Sequence, residues 1–347
     1  MTPALTVKPL LTRGALLAAA NWEVVVLQFI AESAFKLLLV VPLVAAAFLV
    51  ALLVGGSALD VAGGESRQVV ALMIAGLSER PLALAAYVLG VLVIVLGGMM
   101  LTVLVKGGAV AVLVRADVDA PPVEAPPLRL AMVRHASRFD LERFATGCRS
   151  FFRRYFLLGL LLVAVYAVVA VVYAFAVLTS YYVATDRGLF VGWPLVASAI
   201  SIALVLGITV INLLYLLTQL VIASENCSVG VAAARVGRFL SLEHRRIVVV
   251  FAVMLVVVGL ATVAAILVAA GLGFIGFIPF IGLTVLPLQL AAWLARGLIF
   301  QYLGLSALSA YARLYHSMQH ASVYRSDQHA GGPAARTVGW FAPGSSR

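Results

Sequence analysis

Residues 247 to 312, the 66 positions between Arg246 and Arg313, hold a single charge, Arg296. One bilayer crossing needs about 20 apolar residues, so this run is too long and too apolar for a soluble core. At about 1.5 Å per residue it must cross twice, and a third crossing would leave almost nothing for turns. Its break is legible where Gly271, Gly273, Gly276, Pro279 and Gly282 cluster with Phe274, Phe277 and Phe280, a helix-breaking, aromatic turn able to sit in the interface without a charge.

Four further charge-free stretches lie upstream, and the six expected spans are about 37–58, 82–105, 156–180, 194–222, 247–271 and 283–310. The composition agrees. Hydrophobic residues make up 64% and charged residues 11% of the chain, against roughly 25% charged in soluble domains. The expected fold is all-α: a polytopic membrane protein whose six transmembrane helices form three hairpins, with amphipathic helices at the cytoplasmic interface. Residues 1–36 are expected to form an N-terminal cytoplasmic or interfacial helix, 37–312 the six-span membrane domain, and 313–347 a flexible basic cytoplasmic tail.

Orientation follows from where the basic residues fall. On this threading one face carries 20 Lys and Arg and the other only Arg67, Arg80 and Arg187. Such asymmetry marks the basic face as cytoplasmic, with both termini inside. The apolar stretch after Lys8 and Arg13 is cut by Asn21 and Glu23, which excludes a secretory signal and makes the first span an uncleaved anchor. Arginine outnumbers lysine 21 to 3, a composition of GC-rich bacterial genomes, so the expected location is a bacterial inner membrane. The net charge of +10 belongs to the span flanks and to anionic phospholipid, not to nucleic acid. Cys148 and Cys227 both fall on the expected cytoplasmic side, where reduced thiols are the rule.

Three segments precede the odd-numbered spans with apolar and charged positions at helical spacing. In residues 13–36, Trp22, Val25, Val26, Phe29 and Ile30 oppose Glu23 and Glu32. In 139–154, Phe144, Phe151 and Phe152 oppose Arg143, Arg149, Arg153 and Arg154. In 229–246, Val236, Phe239 and Leu240 oppose Arg235, Arg238, Arg245 and Arg246. The second and third are expected to lie along the interface with Arg149, Arg153, Arg154, Arg235, Arg238, Arg245 and Arg246 on lipid headgroups. A shift of 92 residues lays Arg143, Arg153 and Arg154 over Arg235, Arg245 and Arg246; internal duplication and independent recruitment of basic lead-ins both explain this. Asp117, Asp119, Pro121, Pro122, Glu124, Pro126 and Pro127 read as an extended acidic linker, and the chain from His316 onward as a disordered tail.

The layout, with GCRSFFRRYFLLGLLL at 147–162, AARVGRFLSLEHRRIVVVF at 233–251 and LPLQLAAWLARGLIFQYLGLSALSAYARLY at 286–315, resembles six-helix bacterial integral membrane proteins. These are similar to the membrane domain that precedes the catalytic domain in some glycerophosphodiester phosphodiesterases. The resemblance spans most of residues 10–315 and implies membership of a family without an assigned activity. It brings no catalytic residues and no phosphodiesterase domain after the last span.

Polar groups inside spans are costly and mark sites. Asn212 and Gln219 share a face of the fourth span, and Gln289 and Arg296 share one of the sixth, which continues to Gln301 and Tyr302. No carboxylate falls within an expected span, so Arg296 needs amide or carbonyl oxygens from Asn212 or Gln219, a lead-in glutamate such as Glu23 or Glu32, or a lipid phosphate. A structural clamp is the first expectation; an anion or headgroup site and snorkelling to an interface are the others. Ala261, Ala265 and Ala269 form a close-packing stripe on the fifth span. His316 and His320 lack a third ligand, so no metal or other cofactor is expected, and no nucleophile motif appears. These residues point to a non-enzymatic scaffold or accessory subunit that touches lipid. The alternative is a small transporter or channel with a polar path between the fourth and sixth spans.

Overall fold

The computed structural model describes residues 7–54, 81–124, 136–137, 139–188, 192–276 and 281–330. These residues form seven helices and no strand: α1 Val7–Ala20, α2 Trp22–Val54, α3 Pro81–Asp119, α4 Leu141–Asp186, α5 Trp193–Glu225, α6 Val229–Gly276 and α7 Ile281–Ala330. Helices α2 to α7 are each long and apolar enough to cross a membrane. The protein is therefore an all-α, multi-pass membrane protein.

Length decides where the core can lie. Helices α4, α6 and α7 contain 46, 48 and 50 residues, about 70 Å each, more than twice the roughly 30 Å of a hydrocarbon layer. They must extend well beyond the lipid, and the core gathers at one end of the bundle, in the extensions and the adjoining ends of the spans. Leu10 and Val24, Val110 and Leu113, Phe144 and Tyr155, Leu217 and Ile222, Val236 and Phe239, and Leu308 and Leu314 belong to one buried cluster. By contrast no side chain is buried from Leu160 to Val183 of α4 or from Phe251 to Gly276 of α6. Acyl chains are as apolar as leucine, so the hydrophobic effect gives intramembrane side chains no reason to leave lipid for one another. It acts only where the helices reach water.

Glycine sets the closest crossing of this core. Gly107, Gly108 and Ala111 of α3 meet Gly147 and Cys148 of α4, where a Cβ on Gly147 would sit 2.6 Å from the Ala111 Cβ and 3.2 Å from the Gly108 Cα. Helix α1 closes on α7 in the same way: a Cβ on Gly14 would meet the Ser306 carbonyl oxygen at 2.5 Å. Helix α2 lies between α3 and α7, with Phe35 against Gly98 and Phe29 against Gly297.

Several expectations need correction. The lead-in at 13–36 is not one interfacial helix. Asn21 breaks it, its buried amide donating to the Leu17 carbonyl at 2.9 Å, and Trp22 to Lys36 form the start of the long α2. The expected faces hold only in part: Val25 is buried and Phe29 packs on Gly297, but Trp22 and Ile30 are exposed, and Glu32 reaches Gln301 of α7. The lead-in at 139–154 is not a separate helix: α4 runs unbroken from Leu141 to Asp186, so the lead-in and the apolar stretch after it share one axis. Its counterpart in α6 has one non-helical residue, Glu243 (φ −119°, ψ 23°). Their apolar faces meet other helices instead of lipid: Phe144, Val236 and Phe239 are buried in the core, while Arg149, Arg153, Arg235, Arg238 and Arg245 point outward.

The acidic linker begins as structure: Asp117 and Asp119 are the last turn of α3, and Val123 is buried. Pro126 and Pro127 lie outside the described residues. The expected tail is helical to Ala330, because Tyr311, Leu314, Tyr315 and Met318 recur at helical spacing and dock the helix into the core. Residues 331–347, with Trp340 and Phe341, lie outside the described residues, as does the segment 55–80. The break expected between Gly271 and Gly282 falls between the end of α6 at Gly276 and the start of α7 at Ile281.

Candidate functional site

The polar residues of the spans do not converge on Arg296. Helices α4 and α5 form an antiparallel hairpin, and tyrosines on α4 claim the polar groups of α5. The Tyr155 hydroxyl donates to the main-chain carbonyl of Gln219 at 2.8 Å, Tyr166 to Asn212 Oδ1 at 2.6 Å, and Tyr173 lies 3.1 Å from Ser201 Oγ. The Gln219 side chain is buried, with its Nε2 unpartnered. Gln301 donates to Glu32 of α2, and Gln289 Nε2 donates to the Leu272 carbonyl of α6 at 3.3 Å. Among the described residues no hydrogen bond joins Asn212 or Gln219 to Gln289, Arg296 or Gln301. Asn212, expected in the clamp, is taken by Tyr166 of α4, and the buried Gln219 side chain does not reach Arg296.

Arg296 occupies a different setting. It is exposed, and among the described residues it has no hydrogen-bond or ion-pair partner. Its guanidinium carbon lies 5.8 Å from the centroid of the Phe300 ring, within cation–π range. Together with Gln289, Trp293 and Phe300 it forms the α7 wall of a groove of about 580 Å³ whose α6 wall includes Ala261, Ala265 and Ala269. The alanine stripe thus faces α7, as an intramolecular packing face should, yet the two helices leave a trough between them.

The lead-in arginines divide into two sets. Arg154 donates to Asn226 Oδ1, Arg235 pairs with Glu225, and Arg246 pairs with Glu243 at 3.2 Å. Arg149, Arg153, Arg238 and Arg245 are exposed and have no partner among the described residues.

The most connected charge was not legible as a site. Arg13 of α1 is 2% exposed and donates five hydrogen bonds at the end of α3: to Asp117 Oδ1 at 2.8 Å, Glu124 Oε2 at 2.8 Å, and the carbonyls of Asp117, Ala120 and Pro121. That uses every guanidinium N–H and satisfies carbonyls a helix C-terminus leaves open. His316 Nδ1 of α7 lies 2.8 Å from the other Asp117 oxygen. Burial pushes the Asp117 carboxyl up, but the hydrogen bonds from His316 and Arg13 outweigh it and hold the group below the ordinary aspartate value. Burial likewise lowers Arg13, and pairing with Asp117 and Glu124 raises it further than burial lowers it. The available signal was a lone arginine among Leu10, Leu11, Gly14 and Leu17, with surplus acids after the second span. Burial also pushes the Cys148 thiol up, away from the reactive thiolate.

Comparison with known proteins finds no relative: no family model, no curated protein and no solved structure matches the chain.

Proposed function

We propose that the protein is a non-enzymatic scaffold or accessory subunit of a bacterial inner membrane, with its packed end in the cytoplasm and its arginines on anionic phospholipid. The observation that carries this reading is the set of exposed arginines at 149, 153, 238 and 245, without partners among the described residues and close to where α4 and α6 begin their apolar spans. An unpaired arginine at that level gains about 1 kcal/mol from an anionic surface, and four on two neighbouring helices make such a surface the natural counter-charge. The 20 to 3 distribution of basic residues supports the same orientation. The likeness to six-helix bacterial membrane proteins without an assigned activity fits this role. A transporter would need a polar path between α5 and α7, and Asn212, expected to line it, is engaged by Tyr166 of α4.

Native mass spectrometry of protein purified with its lipid tests the proposal. Replacing Arg149, Arg153, Arg238 and Arg245 by glutamine should strip most co-purified phosphatidylglycerol and cardiolipin and leave the melting temperature close to that of the parent. Unchanged retention of both lipids would refute it.

A further inference from the structure

We propose that the groove between α6 and α7 binds an amphiphile made of an acyl chain and an anionic head, with the head on Arg296 and the chain along the alanine wall. This site is separate from the arginines at the packed end and does not depend on them.

Three observations carry the inference. The first is charge. Arg296 lies at the middle of the sixth expected span, about 20 Å along the helix from residue 283, where an unpaired arginine costs roughly 2.5–3.5 kcal/mol on insertion scales. It is the only charged residue lining the groove among the described residues. The one amide there, Gln289, already donates to Leu272, so the guanidinium fork is left for an anion, and a carboxylate or phosphate matches it with two parallel hydrogen bonds.

The second is shape. Ala261, Ala265 and Ala269 recur every fourth residue and keep the α6 wall low, while Trp293 and Phe300 supply broad apolar surface on α7. The volume of about 580 Å³ lies within the roughly 300–1,000 Å³ typical of small-molecule sites, and an extended chain fills a trough that runs between helices.

The third is access. Ala264, Val268, Ala269, Trp293 and Ile299 are exposed along the groove, so an occupant enters sideways from lipid without opening the packed end. A fatty-acid carboxylate and the phosphate of a membrane phospholipid share the required chemistry, and the two can be told apart by experiment.

Trp293 provides the reporter. In a background carrying Trp22→Phe, Trp193→Phe and Trp340→Phe, reconstituted in phosphatidylcholine vesicles, Trp293 fluorescence is titrated with dibromostearate, its uncharged methyl ester, and brominated phosphatidylglycerol. An anionic probe should quench at about tenfold lower membrane content than the ester, as a charge-assisted pair requires. The better anionic quencher identifies the source of the head. Arg296→Leu should abolish the discrimination and Arg296→Lys should keep part of it. Ala265→Leu, which fills the trough and leaves the cation, should abolish it too, so the idea stays testable if Arg296→Leu fails to fold. Equal quenching by acid and ester, discrimination that survives Arg296→Leu, or a Trp293 shielded from every probe by a cross-linkable second copy of the chain would each overturn the proposal.

Discussion

Arg13 shows how much a single residue can organise when all its donors are used. It joins α1 to the end of α3, and through Asp117 and His316 to α7. Removing one partner of a buried pair strands the other charge, which typically costs about 3–5 kcal/mol. Arg13→Leu should therefore lower the melting temperature in detergent far more than loss of an exposed pair such as Lys36 with Glu32. The pair also imposes a pH dependence of known sign. Because Asp117 is held below the ordinary value near 3.9 in the folded protein, its contribution is complete above that value and is lost as pH falls through the lower, folded one. Thermal melting should thus fall off in acid below about pH 4, and Asp117→Asn should flatten that limb while lowering stability at neutral pH. An acid limb unchanged by Asp117→Asn would exclude this assignment.

At the scale of elements, two kinds of contact hold helices together. Within lipid the hairpins use side-chain hydrogen bonds such as Tyr166 to Asn212, worth about 0.6 kcal/mol on average in membrane proteins. Towards the packed end they add apolar burial, and close glycine contacts occur both there, at Gly147, and within the spans, at Gly98 and Gly297. Gly147→Leu forces a branched side chain into the space of Ala111 and Gly108 and should destabilise the protein by about 1–3 kcal/mol or more, whereas Gly259→Leu on α6, where a Cβ meets nothing within 4 Å, should be nearly neutral. Comparing the two melting curves checks the part played by the close contact, and equal losses would contradict it. The lead-in segments depart from the sequence expectation for a related reason. Amphipathic spacing reports that one face avoids water, but it does not say whether lipid or another helix covers that face, and Phe144 and Phe239 chose helices.

At the scale of the whole molecule, the packed end and the apolar spans form two zones, and the proposed orientation places the first in the cytoplasm. In a background with Cys148 and Cys227 replaced by alanine, an impermeant maleimide should label Gly188→Cys in intact cells and Ser150→Cys only after the membrane is opened. The reverse pattern would invert the threading. The number of apolar helices and the charge asymmetry were both determined by the sequence alone, because the cost of placing charge in hydrocarbon acts on each segment independently of its neighbours. The partners of the polar residues were decided only by tertiary structure. Asn212 turns to α4, Glu32 reaches across to Gln301, Arg13 finds Asp117 more than 100 residues away, and Arg296 is left facing a groove. Hydropathy along a chain carries the energy of transfer into lipid, whereas a hydrogen bond between helices depends on which faces meet, and that is settled by the packing of the whole bundle.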